Sequence, residues 1–115
     1  MDPSPLDRFA LAVEHRPDDV VVARLSGDLD AYTASVVTGA LADLVAPGPA
    51  AIVLDLGEVA FMDSYGLRVL LDARAGTRRR GGELSLRGAT GGPLRLLRVV
   101  AEGRALLAVA DPAGA

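Results

Sequence analysis

The chain of 115 residues contains no cysteine. That removes disulfides, thiolate catalysis and cysteine-ligated zinc together. Lysine is also absent, all of the basic residues being arginine, so Schiff-base chemistry and a P-loop lysine are excluded. Aromatic side chains are scarce: Phe9, Tyr32, Phe61 and Tyr65 are the full set, too few to build a stacking surface for bases or sugars. Positive charge is in deficit as well. A formal charge of -3 and a pI near 5.0 argue against general binding to nucleic acid or to an anionic membrane, both of which need a positive field. No apolar run approaches the roughly 20 residues that span a bilayer as a helix, and the start, Met1-Asp2-Pro3-Ser4-Pro5, lacks the basic and apolar segments of a secretory signal. The expectation is a cytoplasmic protein with no membrane insertion and no nucleic-acid partner.

What is present is aliphatic. Half of the residues are hydrophobic, most of them Ala, Val and Leu, which suits packed layers of strands and helices in one domain spanning 1–115. Residues 1–5 and 111–115 read as flexible ends. Phe9, Leu11 and Val13 alternate as in a strand ending near His15, and Arg16 to Asp19 supplies a turn. Val20 to Leu25 forms the second arm of an antiparallel hairpin, closed by Ser26-Gly27-Asp28-Leu29-Asp30. From Thr33 the period becomes helical, with Val37, Leu41, Leu44 and Val45 on one face, ending before Pro47; Asp30 or Thr33 is the candidate cap.

Ala51 to Leu56 is almost continuously apolar, as for a strand buried on both faces. A loop over Gly57 to Ser64 and then a second helix to about Arg80 follow, with Arg78, Arg79 and Arg80 suited to its C-terminus and Gly81-Gly82 to its stop. Leu84 and Leu86 mark a fourth strand. Pro93 is placed at the first position of a third helix running to about Ala101, Gly103 ends it, and Ala105 to Val109 is expected to add a last strand. The whole predicts an α/β fold: a mixed sheet with an N-terminal antiparallel hairpin, then alternating helices and strands. The loops after the parallel strands, Gly27 to Thr33 and Gly57 to Ser64, should then be neighbours.

The chemistry concentrates at Phe61-Met62-Asp63-Ser64-Tyr65-Gly66-Leu67, a strand-to-helix junction. Ser64 as a nucleophile lacks a base, because the single histidine, His15, falls at the far end of a strand, and Met62 stands where a nucleophile elbow needs glycine. Asp28 and Asp30 invite a metal reading, but nothing nearby completes a shell; no metal and no cofactor are expected. Asp63-Ser64 reads from the residues alone either as a helix cap or as a phosphate-friendly serine on a first helical turn.

This junction, preceded by Leu25-Ser26-Gly27-Asp28-Leu29-Asp30 and a helix start at Thr33-Ala34, resembles the STAS domain of bacterial anti-sigma factor antagonists. The two motifs sit at the family's usual separation, and the element order matches over nearly the whole chain. The resemblance implies a partner-switching protein and not an enzyme. It implies that Ser64 is phosphorylated by an anti-sigma factor serine kinase that itself binds ATP, that the unphosphorylated form binds this kinase and releases its sigma factor, and that a PP2C-type phosphatase reverses the modification. The implied partner surface comprises Asp28, Asp30, Tyr32, Thr33, Met62, Asp63, Ser64, Tyr65 and Gly66. The alternative is a STAS interaction module of the stressosome or transport-accessory type, without a switch. Tyr65 departs from the family pattern, which usually has a small residue there.

Overall fold

A computed structural model describes residues 8–110; the ends expected to be flexible lie outside the described residues. The strands are β1 (Phe9–Arg16), β2 (Val20–Leu29), β3 (Ala51–Met62) and β4 (Glu83–Arg87), and the helices α1 (Ala34–Val45), α2 (Ser64–Arg79), α3 (Gly91–Val99) and α4 (Ala101–Leu107). The sheet order is β1-β2-β3-β4, with β1 and β2 antiparallel and β2, β3 and β4 parallel. This is the expected mixed sheet. Among the described residues no helix is long and apolar enough to cross a membrane.

The strand period of two sorts side chains to the two faces. Leu25, Leu54 and Leu86 lie in one core with Val37, Leu41 and Val45 of α1 and Leu67, Leu70 and Ala73 of α2. The residues preceding or following them, Arg24, Asp55 and Arg87, are in register across three strands on the opposite face, where Arg87 Nε donates to Asp55 Oδ2 at 3.2 Å. The β1–β2 turn is held by two aspartates in the left-handed region, Asp18 at φ 66° and Asp19 at φ 61°. Asp19 in turn receives the Ala50 amide on its carboxylate at 2.9 Å, which ties the hairpin to the start of β3.

Two strands run further than their sequences suggest. β2 continues to Leu29 and β3 to Met62, so Gly57 to Met62, expected as loop, is strand. The register explains why alternation fades there. Arg24 pairs with Asp55 and Leu29 with Met62, with shifts after Arg24 and after Gly27, so β3 spends two residues more than β2 over this stretch. Such bulges break the period of two and twist the strand end.

The C-terminal region is the main correction. Ala105 to Val109 is not a strand; Ala105 to Leu107 belong to α4, and Gly103 lies inside that helix instead of ending α3. The break falls at Val100, which is extended (φ -112°, ψ 142°). Gly103 is buried, and a Cβ there would run into the Leu97 carbonyl, so its role is close packing of α4 on the end of α3. Leu97 and Leu106 are both fully buried in the core. Ala and Leu favour the helix, and β4 already closes the sheet order. Pro93 is third in α3, after Gly91 and Gly92 with Thr90 as cap, still within the first turn that tolerates a missing N–H. The end of α2 is as expected: Arg78 and Arg79 occupy the last turn, and Gly81 takes φ 87° with its amide donating to the Arg78 carbonyl at 3.0 Å.

Candidate functional site

The junction between β3 and α2 is built around Asp63. Its backbone is extended (φ -114°, ψ -172°), and its amide donates to the Leu29 carbonyl at 3.1 Å, carrying the pairing of β2 with β3 one residue past the strands. Its Oδ1 accepts from the Tyr65 amide at 2.9 Å and the Gly66 amide at 3.1 Å, satisfying two of the donors that a helix start leaves open. Its Oδ2 accepts from the Ala31 amide at 3.3 Å. One carboxylate therefore caps α2 and fastens it to the loop after β2, which brings the two loops together as the topology requires.

Ser64 is the first residue of α2 and is exposed. With Asp63 as the cap, the Ser64 hydroxyl makes no hydrogen bond among the described residues, and it points to no internal duty. Gly66 explains how the helix sits so close: it is buried, and a Cβ there would run into the Leu29 carbonyl. His15 pairs with Val21, eight residues along β2 from Leu29, so roughly 26 Å of strand separates it from the junction.

The loop after β2 is a closed hydrogen-bonded unit. Asp30 Oδ1 accepts from the Thr33 amide at 3.0 Å, Thr33 Oγ1 accepts from the Asp30 amide at 3.1 Å, and the same hydroxyl donates to the Asp28 carbonyl at 2.8 Å. Thr33 precedes α1 in the N-cap position, but its side chain caps nothing in the helix; it is fully buried and closes the loop instead. Asp28 and Asp30 turn to Arg8, whose Nη2 lies 2.7 Å from Asp28 Oδ2 and 3.6 Å from Asp30 Oδ2. The hydrogen bond to Asp28 is the main cause that raises the Arg8 pKa, with the Asp30 charge adding to it. The Arg8 guanidinium also lies over the Tyr32 ring, 5.0 Å from its centroid, within the range of a cation–π contact.

Of the residues singled out in the sequence, Ser64, Tyr65 (62 % exposed) and Tyr32 (45 %) present surface. Asp28, Asp30 and Asp63 are partly buried. Met62, Thr33 and Gly66 are buried and shape the junction from beneath. Two neighbours were outside that set. Phe61, 51 % exposed, stands opposite Asp28 in the register; its place in an apolar strand end masked it. Arg8 is 20 residues from Asp28 in the chain, and the strand pairing of Phe9 with Gly27 was the signal that brings it there. Three of the four aromatic side chains, Tyr32, Phe61 and Tyr65, are thus exposed.

A mixed four-stranded sheet whose parallel β-to-α turn presents a free serine beside an acidic loop has the architecture of a STAS domain. The family model described as "Mlab, STAS domain" matches residues 12–108. An anti-sigma-B factor antagonist of Listeria monocytogenes is 33% identical over 91 residues, 79% of this chain and 80% of that protein. The anti-sigma-F factor antagonist RsfB of Mycobacterium tuberculosis is 39% identical over 51 residues, 44% of this chain and 42% of that protein. Among solved structures, an anti-sigma factor antagonist from Mycobacterium paratuberculosis superposes with a TM-score of 0.72 at 29% identity, covering 84% of this chain and 81% of that one. SpoIIAA in its unphosphorylated form shares the fold, with a TM-score of 0.69 at 21% identity, covering 83% and 84% of the two chains. The chain belongs to the STAS domain family, as a member of the bacterial anti-sigma factor antagonist group.

Proposed function

We propose that this protein is a cytoplasmic anti-sigma factor antagonist that works by partner switching at Ser64, binding an anti-sigma factor serine kinase while the serine is unphosphorylated and releasing it once the kinase has transferred phosphate from its own ATP. A PP2C-type phosphatase resets the switch. The observation that carries this reading is the division of labour at the junction: Asp63 makes the capping bonds, so the exposed Ser64 hydroxyl is free to be modified without dismantling the helix start.

The electrostatics support a change at the surface and not in the fold. Phosphate adds about -1.5 to -2 charges at a helix N-terminus, which favours anions, but Asp63 already occupies the Tyr65 and Gly66 amides. The new charge therefore stays outside, beside the Asp63 carboxylate. Arg8 offsets one of the three carboxylates Asp28, Asp30 and Asp63, so before modification the face carries about two negative charges beside the exposed Tyr32 and Tyr65, aromatic side chains of the kind that anchor interfaces. After it, the same face carries an unpaired dianion that a docked partner would have to bury.

A second reading, a STAS module that docks without modification, draws on Tyr65, a bulky exposed neighbour of Ser64 that a kinase cleft must admit. One experiment separates the two. The protein is incubated with ATP and each histidine-kinase-like anti-sigma factor of the same genome, and intact mass is measured for wild type and Ser64→Ala. A single phosphate gained by wild type and absent from Ser64→Ala is expected. A gain that survives Ser64→Ala overturns the site, and no gain with a kinase that binds the protein establishes the fixed module.

A further inference from the structure

The C-terminal halves of α1 and α2 enclose a groove of about 600 Å³, inside the range of roughly 300–1,000 Å³ typical of small-molecule sites. It lies at the opposite end of α2 from Ser64 and is independent of the switch. Its floor is aliphatic, with Leu41, Val45 and Val69 buried beneath it, and its walls are low because Ala42 and Gly76 stand where longer side chains would fill the space. A Cβ at Gly76 would come within 3.2 Å of Val45 Cγ1, so the two helices meet closely at the groove floor.

One end of this apolar trench is marked by Arg79 and Arg80. Along α2, Arg68 is paired with Asp72, and Arg74 and Arg78 with Glu83. Arg79 and Arg80 have no acidic partner among the described residues. Both helices finish at this end, and their carbonyl termini together amount to about one negative charge. Two guanidiniums exceed that by about one positive charge, in a protein whose net charge is -3. The acid on the rim, Asp72, is engaged by Arg68 at 3.5 Å. An elongated apolar floor with a net positive end is complementary to an alkyl chain ending in a carboxylate, and guanidinium matches a carboxylate in geometry as well as in charge.

We propose that this groove binds a free fatty acid, the chain lying over Leu41, Val45 and Val69 and the carboxylate held by Arg79 and Arg80. The test is a titration of the isotope-labelled protein with dodecanoate below its micellar concentration, followed by amide chemical shifts. Saturable one-to-one binding is expected, with shifts confined to residues 38–46 and 69–80. Ala42→Phe, at an exposed helical position, should block the groove at an unchanged melting temperature. The Arg79→Glu/Arg80→Glu variant should weaken binding about tenfold, as expected for two solvent-exposed ion pairs, while dodecyltrimethylammonium should not compete. Absence of saturation, shifts centred on residues 60–66, or equal affinity in the charge-reversed variant would overturn the assignment.

Discussion

Replacing Asp63 and Ser64 one at a time by alanine separates the cap from the acceptor. Asp63→Ala removes acceptors from three amides, Tyr65 at 2.9 Å, Gly66 at 3.1 Å and Ala31 at 3.3 Å. Loss of an N-cap costs about 0.5–2 kcal/mol, and the tie to Ala31 places this site toward the upper part of that range. For a chain of this length about 1 kcal/mol corresponds to about 4 °C in melting temperature, so a fall of about 4–8 °C is expected. Ser64→Ala removes an exposed hydroxyl that has no partner among the described residues and introduces the best helix former, so it should stay within about 0.5 kcal/mol, or about 2 °C, of wild type. Urea denaturation followed by circular dichroism gives both values, provided that the m-value is unchanged. If Ser64→Ala costs as much as Asp63→Ala, the serine is itself structural and the division of labour at the junction is wrong.

Two further outcomes follow from the packing and the charge pattern. Gly66→Ala adds a methyl that must displace the Leu29 carbonyl; destabilisation of about 1–3 kcal/mol is expected, with amide shifts spreading from residues 63–67 to 28–31, and a neutral substitution would show that α2 does not rest on the end of β2. Glu83 has its pKa lowered, first by hydrogen bonding to Arg74, which contacts it at 2.9 Å and 3.3 Å. A lowered folded-state pKa contributes stability above the unfolded glutamate pKa that is lost as pH falls through the folded one. The urea midpoint of wild type should therefore exceed that of Glu83→Gln at neutral pH and converge with it in acid; a gap that persists in strong acid would mean that the carboxylate charge is not responsible.

Much of this architecture was legible because local patterns agree with it. The alternation of β1, the apolar run that opens β3, the helical spacing of Leu67, Leu70 and Leu71, and Gly81-Gly82 after three arginines each carry their own period or turn chemistry. The adjacency of the two loops also followed, since parallel strands order them. The ends of β2 and β3 were less visible because bulges interrupt the period of two, and Ala105 to Val109 is a short apolar run whose periodicity does not distinguish strand from helix. Only the place of Gly103 against Leu97 resolves it.

At the junction, the residue types in Asp63-Ser64 marked a helix start and left two readings open, a cap or a phosphate-friendly serine on the first turn. Which of the two residues does the capping depended on where each side chain points, and the Asp63 carboxylate reaching Tyr65, Gly66 and Ala31 at once leaves Ser64 free. Arg8 shows the same limit at long range. Its charge is written in the sequence, but its position over Tyr32 and against Asp28 and Asp30 exists only because β1 pairs with β2 in one register. Spacing along the chain determines local periods and caps; the contacts that set the charge of the Ser64 face come from strand pairing, and those are decided only when the tertiary structure closes.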